Sequence, residues 1–157
     1  MCQRALAFLV CFAFAVVCGA APTLSAGDRA RLLEQGAFHM LSGPAPLPGE
    51  AIRFCADANG RFAMPGARWA ATDVASAGGT LPGRRLIWAA SSEDLFVIHF
   101  EQGGFAHTYH VVVLRFLHGA TAYDLAWRAS SPRLKDYANF VRVLQANELQ
   151  DEPAFAR

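Results

Sequence analysis

Cysteine is scarce where it would count, lysine is nearly absent, and neither sign of charge dominates. Cys2, Cys11 and Cys18 all fall in the first 20 residues, and Cys55 stands alone beyond them. A chain starting after residue 20 therefore forms no internal disulfide, and its fold rests on a packed core. Lys135 is the single lysine, and basic and acidic residues balance beyond residue 20 once Arg4 is set aside. No basic field is present to draw nucleic acid or anionic lipid. No internal repeat occurs, and no nucleophile elbow, HExxH or phosphate-loop motif is found. Asp57-Ala-Asn59-Gly60 opens like a calcium loop, but Arg68 occupies the position of the bidentate Glu, so the segment reads as a turn.

What is present at the start is a secretory leader pattern. Arg4 is followed by the unbroken apolar run Ala5–Val17, which is short for a membrane span of about 20 residues. Cys18-Gly19-Ala20 then supplies small residues, and cleavage is expected after Ala20. Lipidation at Cys18 is the lesser alternative, because Val17 precedes it where a small residue is usual. The reading is a signal peptide over 1–20 and one globular domain over 21–157, periplasmic or secreted, with a frayed tail from about Gln150. No transmembrane span is expected in the mature chain.

Ser25 and Asp28 predict a capped helix in which Ala26, Ala30 and Leu33 share one face and which stops near Gly36. Glu50–Ala58 fits a helix ending at Asn59-Gly60, or one arm of a hairpin closed by that pair; the helix is favoured. Arg68–Val74 suggests a short strand. Arg85–Ala90, Leu95–Glu101, Phe105–Leu117 and Thr121–Arg128 are rich in β-branched and aromatic residues and read as strands. Ser131-Pro132 predicts the start of a final helix with an apolar stripe of Leu134, Tyr137, Ala138, Val141 and Leu144. Contiguous strands with helices at both ends give an α+β fold: a central antiparallel sheet of about four strands with flanking N-terminal and C-terminal helices.

Treating Gly103-Gly104 as a two-residue turn puts His99 opposite Thr108 and Val97 opposite His110. Closing the preceding hairpin at Ser92-Glu93 puts Arg84 opposite Glu101. One face then carries Ile87, Phe96, Ile98, Phe100, Phe105, Tyr109, Val111 and Val113, with His107 as its polar interruption. The other carries Leu86, Trp88, Leu95, Val97, Val112, Leu114 and Phe116. Both faces being apolar implies cover on both, or a sheet curled around a groove. On the second face Arg84, His99, Glu101, Thr108 and His110 converge beside the glycine turn as a candidate ligand-binding cluster. A hydrogen-bonded rim network is favoured over a zinc site built on His99, Glu101 and His110, and no metal or cofactor is expected. Thr72-Asp73 with Arg84-Arg85 is a weaker candidate anion clamp.

The functional expectation is a small non-enzymatic module that binds an envelope protein or a small apolar molecule. The alternatives are a metal-dependent or acid/base enzyme using the His/Glu cluster, and a structural envelope protein. Cys55, among apolar neighbours, is expected to be an inert buried thiol.

Overall fold

The protein is described here from a computed structural model, over residues 23–42, 47–72, 79–117 and 122–153. The expected leader, Cys18 and Asp73 lie outside these residues. In chain order the elements are α1 (Ala26–Leu32), a 3-10 turn (Gln35–Ala37), β1 (His39–Met40), α2 (Gly49–Ile52), β2 (Arg84–Ser91), β3 (Leu95–Gln102), β4 (Thr108–Phe116), β5 (Tyr123–Ser131), α3 (Tyr137–Gln145) and β6 (Gln150–Asp151). The strands form one antiparallel sheet of six in the order β1-β2-β3-β4-β5-β6. The fold is α+β as expected. The strand count rises from four because two-residue strands close both edges, too short to carry a periodic signal.

The tail is ordered further than expected: Gln150 and Asp151 pair with Ser130 and Ala129, and the Glu152 amide donates to the Arg128 carbonyl at 3.0 Å. Arg68–Val74 is not a strand over the residues described, 68–72. Ahead of this segment, Ala63 makes a single parallel bridge to Arg85.

The β3–β4 connection departs from expectation in a way that decides the site. Gly103 and Gly104 do not form a two-residue turn; the strands end at Gln102 and resume at Thr108. The glycines instead dock on the segment ahead of β2. The Gly103 amide donates to the Gly83 carbonyl at 3.0 Å, and the Gly104 amide to the Ala71 carbonyl at 3.4 Å. A Cβ on Gly103 would lie 2.1 Å from the Ala70 carbonyl oxygen, so only glycine permits this approach. Gly104, at φ 139, adopts a conformation that L side chains rarely take. His99 therefore opposes Val111 and Phe100 opposes His110. The pairing is offset by three residues from the two-residue-turn register, and an odd offset moves every β4 side chain to the other face. Phe105, expected in the core, is fully exposed in the loop.

Both faces are covered. The first carries Leu95, Val97, Val111, Val113, Trp127 and Ala129 under α1 and α3, whose Leu32, Tyr137, Phe140, Val141 and Leu144 complete the cluster. The second carries Leu86, Ala89, Ile98, Phe100, Val112 and Leu114 under Leu47, Ala51 and Cys55 from the α2 region. Each large side chain buried this way contributes about 1.5–3 kcal/mol. Two bulges sort residues between these cores. One at Ile87 separates Leu86 from Trp88, and one at Ala126 separates Leu125 from Trp127.

The helices differ from expectation in which residues they bury. Ser25 caps α1 as expected, accepting from the Asp28 amide at 3.0 Å and donating to the Asp28 carboxylate at 2.7 Å. Its buried residues are Leu32 and Asp28, however, while Ala26 and Ala30 are exposed. Asp28 is held inward by Arg115 of β4, which donates to both carboxylate oxygens at 2.8 and 2.7 Å. The helix stops at Leu32, and Gly36 falls in the 3-10 turn. Ser131 ends β5 rather than capping a helix. Asp136 caps α3 by accepting from the Asn139 amide at 2.8 Å, and the buried stripe runs Tyr137, Phe140, Val141, Val143 and Leu144, with Ala138 exposed. Asn147, at φ 55, closes α3: the Glu148 amide returns to Val143 and the Asn147 amide to Leu144. Of the Glu50–Ala58 segment, α2 takes only the first residues, and Asn59-Gly60 is a turn with Gly60 at φ 73.

Candidate functional site

The β2–β3 and β3–β4 registers together divide the expected cluster between the two faces. His99 and Glu101 stay together on the first face, while Arg84, Thr108 and His110 lie on the second. His99 is fully buried against Trp88, with ring centroids 5.4 Å apart. Its Nε2 accepts from the Leu134 amide at 3.0 Å, so Nδ1 carries the proton and donates to the His110 carbonyl at 3.0 Å. Burial drives the ring down to a pKa of about 4, against the pull of that carbonyl, and keeps it neutral. Both ring nitrogens are committed to backbone, so His99 has no lone pair to offer a metal.

Glu101, also buried, spends its oxygens separately. One accepts from Arg85 Nε at 2.6 Å and the other from His107 Nε2 at 2.8 Å. Trp69 backs the pair, with the Arg85 guanidinium 4.8 Å from its ring centre and the His107 ring 5.4 Å away. His107 stacks on Tyr109 at 5.0 Å. The expected Arg84–Glu101 pairing is therefore replaced by Arg85–Glu101, and Arg84 and Arg85 point to opposite faces and cannot clamp one anion. Among the described residues, no three His, Cys, Asp or Glu side chains are placed to share a metal ion.

The second face holds a different set. His110 stacks on Phe100 with ring centroids 5.2 Å apart. His110 Nε2 pairs with the Thr108 hydroxyl at 2.8 Å, and its Nδ1 donates to the Glu152 carboxylate at 2.9 Å. Glu152 also accepts from Arg128 Nε at 2.8 Å. Burial works against the ionised Glu152, but the bonds from His110 and Arg128 outweigh it and hold the carboxyl below its ordinary range. Arg128 is 2% exposed. Arg84, 9% exposed, donates to Gln102 Oε1 at 2.8 Å and to the Cys55 and Ala56 carbonyls at 3.3 and 2.6 Å. The two guanidinium carbons lie 5.8 Å (Arg84) and 5.7 Å (Arg128) from the centre of the Phe100 ring. Burial pulls both guanidinium groups below their ordinary values, and the charge of Arg128 lowers Arg84 further.

These two arginines line a groove of about 1030 Å³ between the α2 region and β5. Ile52 and Phe54 contribute apolar surface on one side, Tyr123 and Leu125 on the other, and Val112 lies between on the sheet. Asp57 borders the groove, but its carboxylate is committed to backbone amides: those of Asn59 and Arg61 at 2.9 and 3.0 Å and that of Gly83 at 2.9 Å. Burial alone would raise the Asp57 carboxyl, and the three amides hold it down instead. The turn reading of Asp57–Gly60 is the one that forms. Burial pushes the Cys55 thiol up to about 12 despite Arg128 and Arg84 nearby, so it stays protonated and unreactive.

Of the expected cluster, Arg84 alone reaches this groove. Arg128 and Glu152 were missed. The available signal was an arginine in the apolar run of β5, Leu125-Ala-Trp-Arg-Ala129. The Ala126 bulge obscured which way it faced. Compared with protein-family models, curated proteins and solved structures, the chain matches none of them.

Proposed function

We propose that this chain is a small non-enzymatic binding module of the cell envelope or extracellular space, and that the groove between α2 and β5 holds a small molecule. The observation that carries the reading is the groove itself. Its volume of about 1030 Å³ suits a ligand of drug-like size, and apolar side chains surround a few fixed polar groups, as small-molecule sites require. The secretory leader pattern supplies the location.

Two measurements test this. The neutral probe N-phenyl-1-naphthylamine should brighten on binding the protein, and Leu125→Trp, which fills the groove from β5, should abolish the signal while leaving the circular dichroism unchanged. Undiminished signal in that variant, or none in the wild type, would refute groove binding. The intact mass of protein recovered from the envelope or medium should match Ala21–Arg157; a mass retaining Met1 would refute the secretory address.

A further inference from the structure

Building on the groove reading, we infer that its ligand is an amphipathic acid, whose oxyanion is held by the Arg84 and Arg128 guanidinium groups while its apolar body lies along Ile52, Phe54 and Leu125. The argument is charge complementarity in a place where charge is costly. Two cations at nine-tenths burial or more line one groove and flank one aromatic ring at nearly equal distance. Burying like charges side by side raises the free energy of both, and a negative group between them recovers part of it. Arginine suits this role because its planar fork matches carboxylate and phosphate geometry. Two acids line the groove, Asp57, which is held by backbone amides, and Asp124, which lies opposite Arg115 of β4; Glu152, outside the lining, is shared between Arg128 and His110. Arg84 is fixed by carbonyl oxygens and Gln102, and Arg128 by Glu152, so both guanidinium groups are oriented before a ligand arrives.

The test compares octanoate, octan-1-ol and octyl phosphate by titration calorimetry at neutral pH, on wild type, Arg84→Gln and Arg84→Lys. The wild type should bind octanoate at least tenfold more tightly than octan-1-ol. That ratio should collapse toward one in Arg84→Gln and recover in part in Arg84→Lys. Octyl phosphate against octanoate then tells whether the oxyanion is a phosphate or a carboxylate. Equal affinity for acid and alcohol in the wild type would overturn the inference and leave the groove reading standing. So would an acid preference that survives Arg84→Gln, or no binding of any octyl compound by a protein that still takes up N-phenyl-1-naphthylamine. Failure of that neutral probe as well would overturn both. Should Arg84→Gln fail to fold, the wild-type acid-to-alcohol ratio and its fall with added salt decide the matter, since an ion-paired headgroup is screened and an apolar contact is not.

Discussion

His99 is the residue whose chemistry the fold changes most. It is fully buried, neutral and bonded through both nitrogens, with its folded pKa driven to about 4 by burial. In the unfolded chain it titrates near 6.5. Between these values the unfolded state binds a proton that the folded state refuses, so stability is full above about pH 6.5 and falls as the pH drops toward 4. The loss attributable to this one group is about 3 kcal/mol at most. Urea unfolding of the wild type between pH 5 and 6.5 should show stability declining with acidity, and His99→Gln should flatten that slope while lowering stability at pH 7. An unchanged slope in the variant would exclude His99 as its source. Asp28, Asp57 and Glu152, whose folded carboxyls are depressed, act below this window: the stability they confer is lost as they protonate in stronger acid.

Among the elements, β6 has an influence beyond its two residues. It pairs with β5 and is anchored by the Trp127 indole, which donates to Asp151 at 2.6 Å. Its extension brings Glu152 against Arg128 and His110. Removing this carboxylate leaves Arg128 buried without the charge that offsets it, and breaking a buried pair from one side is expensive. Glu152→Gln should lower stability by about 2–4 kcal/mol, the lower end reflecting the partial exposure of Glu152. Chemical denaturation midpoints would measure it, and a change below about 0.5 kcal/mol would show that the pair is not a structural anchor. α1 and α3 act on the opposite face and brace each other there: Tyr137 donates to the Leu32 carbonyl at 2.8 Å, and Arg29 reaches the Leu144 carbonyl at 2.7 Å.

At the scale of the molecule, one meander sheet is enclosed on both faces, and its middle strands bear the burial. Ile98 and Phe100 of β3, with Val111, Val112 and Val113 of β4, are all fully buried, and both neighbours of each strand are hydrogen-bonded to it. Native-state hydrogen exchange should therefore be slowest across 96–100 and 109–113, approaching the free energy of global unfolding, and fast in the 103–107 loop. Rapid exchange through the two central segments would contradict the enclosure described here. The proposed groove lies against this rigid floor, which favours a preformed site over one assembled on binding.

The strand run, the α+β class, the Ser25 cap and the cover on both faces were legible in the sequence, because they rest on local pattern: β-branched runs, a capping box, and apolar side chains at both phases of the pleat. The hairpin register was not. Gly103-Gly104 has the composition of a tight turn, but the pair is used for close backbone approach to Ala70 and Ala71, a contact made more than 30 residues away in the chain. That choice, with the bulges at Ile87 and Ala126, decided which polar residues share a face: His99 with Glu101 on one, Arg84 with His110, Arg128 and Glu152 on the other. By itself the sequence determined where the four long strands run and that apolar side chains would fill both faces of the sheet. Tertiary structure decided which buried charges meet, because strand side chains alternate with a period of two and a single long-range backbone contact sets the phase of that alternation.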